Sequence, residues 1–137
     1  MVDPDRVRRL LASLDSFVTE LTELRKMPLD GYRGTAAYSG RYVVQAAAQA
    51  CLDIANHVIS SEGFRVPNDF RDAFTVLEEQ EVLDARLAEN MRALVGLRNR
   101  LVHLYGDVDD ELIHSYLAEV LADVGTFAGI IASRFGL

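Results

Sequence analysis

The densest chemistry in this chain lies in one run, Gly96-Leu97-Arg98-Asn99-Arg100-Leu101-Val102-His103-Leu104-Tyr105-Gly106. An arginine fork binds phosphate with two donors at once. An imidazole moves protons near neutral pH, and a tyrosine offers a hydroxyl nucleophile. The run closes an expected helix, in which each residue turns about 100°. Arg98 and Tyr105 are then nearly in line, and Asn99 and His103 share a neighbouring face. Arg98 and His103 point about 140° apart on a straight helix. They border one cleft if the last turn tightens before Gly106, or if a second copy packs against this face. His103 sits near the helix C-terminus, where the macrodipole favours a cation.

One histidine serves poorly as both base and acid in phosphate-ester cleavage. Two histidines from a twofold dimer serve well, and the twofold also doubles Arg98. RNA cleavage is the simplest reaction for that set. One imidazole takes the 2′-OH proton, the other protonates the leaving 5′-oxygen, and the arginines stabilise the phosphorane. No metal is required, and DNA is spared because it lacks the 2′-OH. The plainer alternatives are a salt-bridged helix end that merely caps carbonyls, and a non-catalytic module that binds a nucleotide or a protein partner.

The elements that must position this run are helical. Apolar residues recur at three- and four-residue spacing, and strand-like alternation is nowhere sustained. Asp3 and Pro4 open a first helix, with Val7, Leu10, Leu11, Leu14, Phe17, Val18, Leu21 and Leu24 as its stripe. Met27 to Gly31 end it. A second helix is expected from about Ala37 to Glu62, stopped by Gly63. A short helix spans about Asp69 to Gln80, with Phe70, Phe74 and Leu77 inward. A fourth begins near Asp84 and ends near Tyr105, and a last one follows Asp109-Asp110-Glu111 to about Phe135. The expected fold is all-α: an antiparallel four-helix-type bundle with one additional short helix, as one domain over residues 1–137.

Half of the 137 residues are hydrophobic, enough for one core. The single cysteine, Cys51, excludes an intrachain disulfide and suits a reducing cytoplasm. The charged start, Met1 to Arg6, lacks a signal peptide's apolar stretch. No apolar run approaches the ~18 residues that cross a bilayer, so no membrane is expected. Lys+Arg 14 against Asp+Glu 21 gives a net charge of −7. That excludes a general nucleic-acid coat, though Arg92, Arg98 and Arg100 are close enough in sequence to line a local basic cleft.

Other residues invite chemistry but read more simply as structure. Asp53 and His57, four apart, are expected to form a structural ion pair rather than begin a metal site. His114 is expected at the solvated surface, and Cys51 in the core. Tyr38 and Tyr42 are placed for base stacking or, more simply, for packing at a helix start. Arg41 is a candidate RNA contact. Gly31-Tyr32-Arg33-Gly34 is too short for a phosphate loop.

The run Arg98 to Tyr105 resembles the signature of HEPN domains, where an arginine, a polar residue and a histidine stand at this spacing. The tyrosine two residues after the histidine is similar to the HepT-like toxin branch. Upstream, Arg41-Tyr42-Val43-Val44-Gln45-Ala46 and Leu52-Asp53-Ile54-Ala55-Asn56-His57 resemble that family's second helix. Pro67, Phe74, Leu77 and Met91 to Gly96 also match, so the likeness runs from about Tyr38 to Tyr116. It implies a HEPN-like bundle and a homodimeric, metal-independent endoribonuclease without a cofactor, the toxin of a type VII-like toxin–antitoxin pair. It assigns catalysis to Arg98 and His103, supporting roles to Asn99 and Arg100, and AMPylation to Tyr105. The implied partner is an antitoxin of the minimal nucleotidyltransferase (MNT) type. An AMP group on Tyr105 would add bulk and negative charge beside His103 and block the cleft. The acidic balance counts against broad RNA affinity and suits a basic partner surface.

Overall fold

The structure, a computed structural model, describes residues 1–103 and 108–137. Among these residues every regular element is a helix: α1 (Pro4–Lys26), α2 (Leu29–Tyr32), α3 (Thr35–Ser61), α4 (Phe70–Glu79), α5 (Ala85–His103) and α6 (Asp110–Arg134). Aspartates set most of the starts. Asp3 accepts the N–H groups of Asp5 and Arg6, and Asp69 accepts that of Asp72. Asp84 takes the N–H of Leu87 at 2.8 Å, and Asp109 that of Leu112 at 3.1 Å. Each such cap contributes about 1 kcal/mol. Gly63, at φ +69°, follows α3 where a left-handed residue is needed.

The four long helices and the short α4 match the bundle expected from the periodicity. The single turn α2 is an addition, because four residues are too few to leave a stripe. α3 is the hub and packs against all five other helices. Its buried Ala47, Ala48, Ala50 and Ala55 let neighbours come close, with Cys51 fully buried among them. Burial pushes the Cys51 thiol well above the usual thiol range, so it behaves as a small hydrophobe. Phe74 and Phe127 meet edge to face at 5.7 Å and join α4 to α6 in the core.

Three expectations fail here. α6 is long and apolar enough by composition to cross a membrane, with a mean hydropathy of 1.4 over its best window. Its buried Ile113, Leu117, Val120, Val124, Phe127 and Ile131 nevertheless recur as one stripe on the core, which is the pattern of a bundle helix. His114 is not a solvated surface residue. Its Nε2 donates to the Met27 carbonyl at 2.8 Å, and its ring lies 4.6 Å from that of buried Tyr32. Asp53 and His57 do not pair with each other. The Gln49 amide donates to Asp53 at 2.9 Å, whereas His57 Nε2 accepts the Asp3 N–H at 3.2 Å and so ties α3 to the start of α1.

Candidate functional site

α5 carries the motif, and α3 and α4 hold it. Gly96 is buried against α4, where a Cβ would lie 2.6 Å from Arg71 Nη2. That atom is the movable end of the exposed Arg71 side chain of α4, which begins with Phe70. That residue is not core, as its stripe position suggests, but 44% exposed. Its ring lies beneath Arg98, with the guanidinium carbon 5.2 Å from the ring centroid.

Arg98 is half-buried and held by two amides. Its Nη1 donates to Asn99 Oδ1 at 3.0 Å, and its Nη2 to Gln49 Oε1 of α3 at 3.0 Å. Both acceptors are neutral, so among the described residues the guanidinium is fixed in place without a direct ion pair, although Asp53, which accepts from the same Gln49 amide, lines the same concavity. Several other arginines are spent on carboxylates. Arg65 bonds Asp72 and Glu79, Arg92 bonds Glu78, and Arg33 bonds Glu111.

The remaining candidates distribute around this centre. Asn99 gives its carbonyl oxygen to Arg98. His103 is the last residue of α5 and is exposed. α5 stays α-helical up to it, which keeps Arg98 and His103 about 140° apart around the axis and ~7.5 Å apart along it. A tightened turn therefore does not unite them within the described residues. Arg100 faces away from Arg98 and lines a groove of about 280 Å³ between α5 and α6, with Asn90, Tyr116 and Asp123. The basic cleft of Arg92, Arg98 and Arg100 does not form, because the three point to different neighbours. Tyr105 lies outside the described residues.

Arg41 is engaged in a two-pronged pair with Asp110, at 2.7 and 2.6 Å, and its guanidinium stacks on Tyr38 at 4.9 Å. It pins the start of α6 to α3. Tyr38 and Tyr42 do not pack at a helix start; they are 66% and 65% exposed. Tyr42, Gln45 and Gln49 share with Arg98 a concavity of about 450 Å³ between α1, α3 and α5. Gln49, Phe70 and Tyr42 are thus neighbours of the motif that its own spacing does not reveal. The one signal for Tyr42 and Gln49 is a polar and aromatic stripe on α3 at three- and four-residue steps, and Phe70, on α4, has none.

The chain belongs to the ribonuclease HepT-like family, whose model matches residues 14–130. It is by family an endoribonuclease. It is 32% identical over 91 residues to the mRNA nuclease HepT of Shewanella oneidensis, covering 66% of this chain and 68% of that one. It is 27% identical to the tRNA nuclease HepT of Aphanizomenon flos-aquae, covering 79% of this chain and 75% of that one. Its fold also matches a tri-AMPylated Shewanella oneidensis HEPN toxin solved in complex with its MNT antitoxin. That match has a TM-score of 0.85 and 24% identity, and it covers 93% of this chain and 96% of that one.

Proposed function

We propose that this protein is a metal-independent endoribonuclease toxin of the cytoplasm, acting as a homodimer on RNA. The observation that carries the reading is the Arg98 clamp. In a chain of net charge −7, this guanidinium is oriented by neutral amides and an aromatic face rather than by a direct ion pair, which leaves its fork open to a phosphate. A twofold axis beside α5 sets one protomer's Arg98 towards the partner's His103, which the 140° divergence within one helix favours.

In that cleft one His103 takes the 2′-OH proton as the 2′-oxygen attacks phosphorus. The partner's His103 protonates the departing 5′-oxygen, leaving a 2′,3′-cyclic phosphate. The paired Arg98 side chains stabilise the charge that builds on the phosphorane. Asn99 orients Arg98, and Arg100 is a supporting cation. Tyr105 is the regulatory acceptor: an MNT-type antitoxin transfers AMP to it, and the added phosphate competes for Arg98. The two nucleases named above act on mRNA and on tRNA, so the family's site accepts more than one RNA class.

The test is cleavage of total RNA and a tRNA pool in EDTA by protein whose Tyr105 is shown by mass spectrometry to be unmodified. The parent should cut, and His103→Ala should not, at unchanged helicity and sedimentation. Equal cutting by both removes His103 from the mechanism, and a fully active monomer removes the composite site.

A further inference from the structure

The ribonuclease reading accounts for Arg98 and His103 but leaves one side of α3 unexplained. Tyr38, Tyr42, Gln45, Gln49 and Asp53 follow each other at steps of four, three, four and four residues, which places them on one helix face. Over fifteen residues that face runs ~22 Å. Its inward counterpart, with Val43, Val44, Ala47, Ile54 and Val58, is core. The outward one carries two tyrosines exposed by about two-thirds and two glutamines, and Gln49 ends on the Arg98 guanidinium.

We infer that this outward face of α3 is the track on which unpaired bases of the RNA lie, with Tyr42 stacking on a base next to the phosphate held at Arg98. The inference rests on the ribonuclease reading and names the part of the substrate recognised. Exposed aromatic rings accept any base on their π-face, and the Gln45 amide offers donors and an acceptor to a base edge, whereas Gln49 is engaged with Arg98 and Asp53. The charge pattern favours stacking over a broad cationic field. Arg41, the cation nearest the tyrosines, is tied to Asp110, so little counterion release is available along the track. Affinity therefore comes from rings and amides, with charge concentrated at Arg98.

The experiment uses the full-length protein and single-stranded RNA oligonucleotides spanning one mapped cleavage site, each with a single abasic nucleotide at a successive position. Tyr42→Ala should raise KM about 5- to 100-fold with kcat within about twofold, the range expected for one lost base stack. Tyr42→Phe should stay within about twofold of the parent. One abasic position should cost the parent a similar factor and cost Tyr42→Ala nothing more. Cleavage is read first in the parent, because a parent that cuts no RNA sinks the ribonuclease reading itself. A parent that cuts while Tyr42→Ala keeps its KM, or keeps the abasic penalty, sinks only the track. A shift of Tyr42→Ala to a smaller species in sedimentation also overturns it, by assigning this face to contact between two copies of the chain.

Discussion

Replacing Gln49 by glutamate separates orientation of Arg98 from its charge. The amide accepts from Arg98 Nη2 at 3.0 Å. A carboxylate in its place would still accept from the guanidinium, but it would face the Asp53 carboxylate and stand about 6 Å from a phosphorane on the far side of Arg98. With an effective dielectric between about 20 and 80 at this half-exposed site, the repulsion is about 0.7–2.8 kcal/mol. That corresponds to a ~3- to 100-fold loss of kcat/KM. Gln49→Leu removes the acceptor without adding charge, and should cost about 3- to 10-fold through a looser Arg98. Gln49→Glu should therefore be the poorer enzyme and Gln49→Leu the better one, and both should melt below the parent because each loses the hydrogen bond from the Gln49 amide to Asp53. The assay is initial-rate cleavage of one fluorogenic oligonucleotide beside thermal melts, repeated in high salt, where the glutamate deficit should shrink. If Gln49→Glu cuts within twofold of the parent at low salt, Arg98 is not acting through its charge and the catalytic assignment fails.

Further predictions concern the buried side of α3 and its neighbours. Burial, reinforced by Asp110, pushes the Tyr32 hydroxyl up to about 12 from its ordinary 10.0. The unfolded chain then ionises first, so stability is complete below pH ~10 and falls by about 2–3 kcal/mol as pH rises towards 12. Urea midpoints for the parent and Tyr32→Phe should diverge only above pH ~10, and parallel curves would contradict this. Gly40 lies under the Tyr32 ring, and an added Cβ would run into the hydroxyl. Gly40→Ala should cost about 1–3 kcal/mol and roughly 3–10 °C in Tm, part of which returns when combined with Tyr32→Phe. A Gly40→Ala protein that melts with the parent would show that the ring has room to move.

Local signals were enough for the elements. Asp3-Pro4, Gly63 and Asp69 mark helix ends because a cap acts on its own next few residues, and the α1 stripe needs only its own spacing. The expected α3 limits of about Ala37 and Glu62 fall close to Thr35 and Ser61 for the same reason. Pairings across the chain were not legible. His114 meets a carbonyl 87 positions away, Arg41 finds Asp110 across 69, and Arg98 finds Gln49 across 49. Nothing near any of these residues announces its partner. The motif residues stood out by type, yet the clamp that gives Arg98 its character depends on Phe70, whose place in an apolar stripe pointed inward. The stripe rule fails at Phe70 because it opens α4, where the helix edge turns towards α5 and not the core.

That α3 packs against every other helix while offering its opposite side to solvent has a consequence for how this protein can diverge. The inward residues hold five neighbours and tolerate little change. On the outward side Gln49 holds Arg98, but Tyr42 and Gln45 make no such bond among the described residues, so on the proposed track substitutions at those two alter recognition at small thermodynamic cost. On the proposed track, a lineage carrying this hub changes its RNA preference by exchanging a few side chains along a single surface, with Gln49 and the architecture untouched.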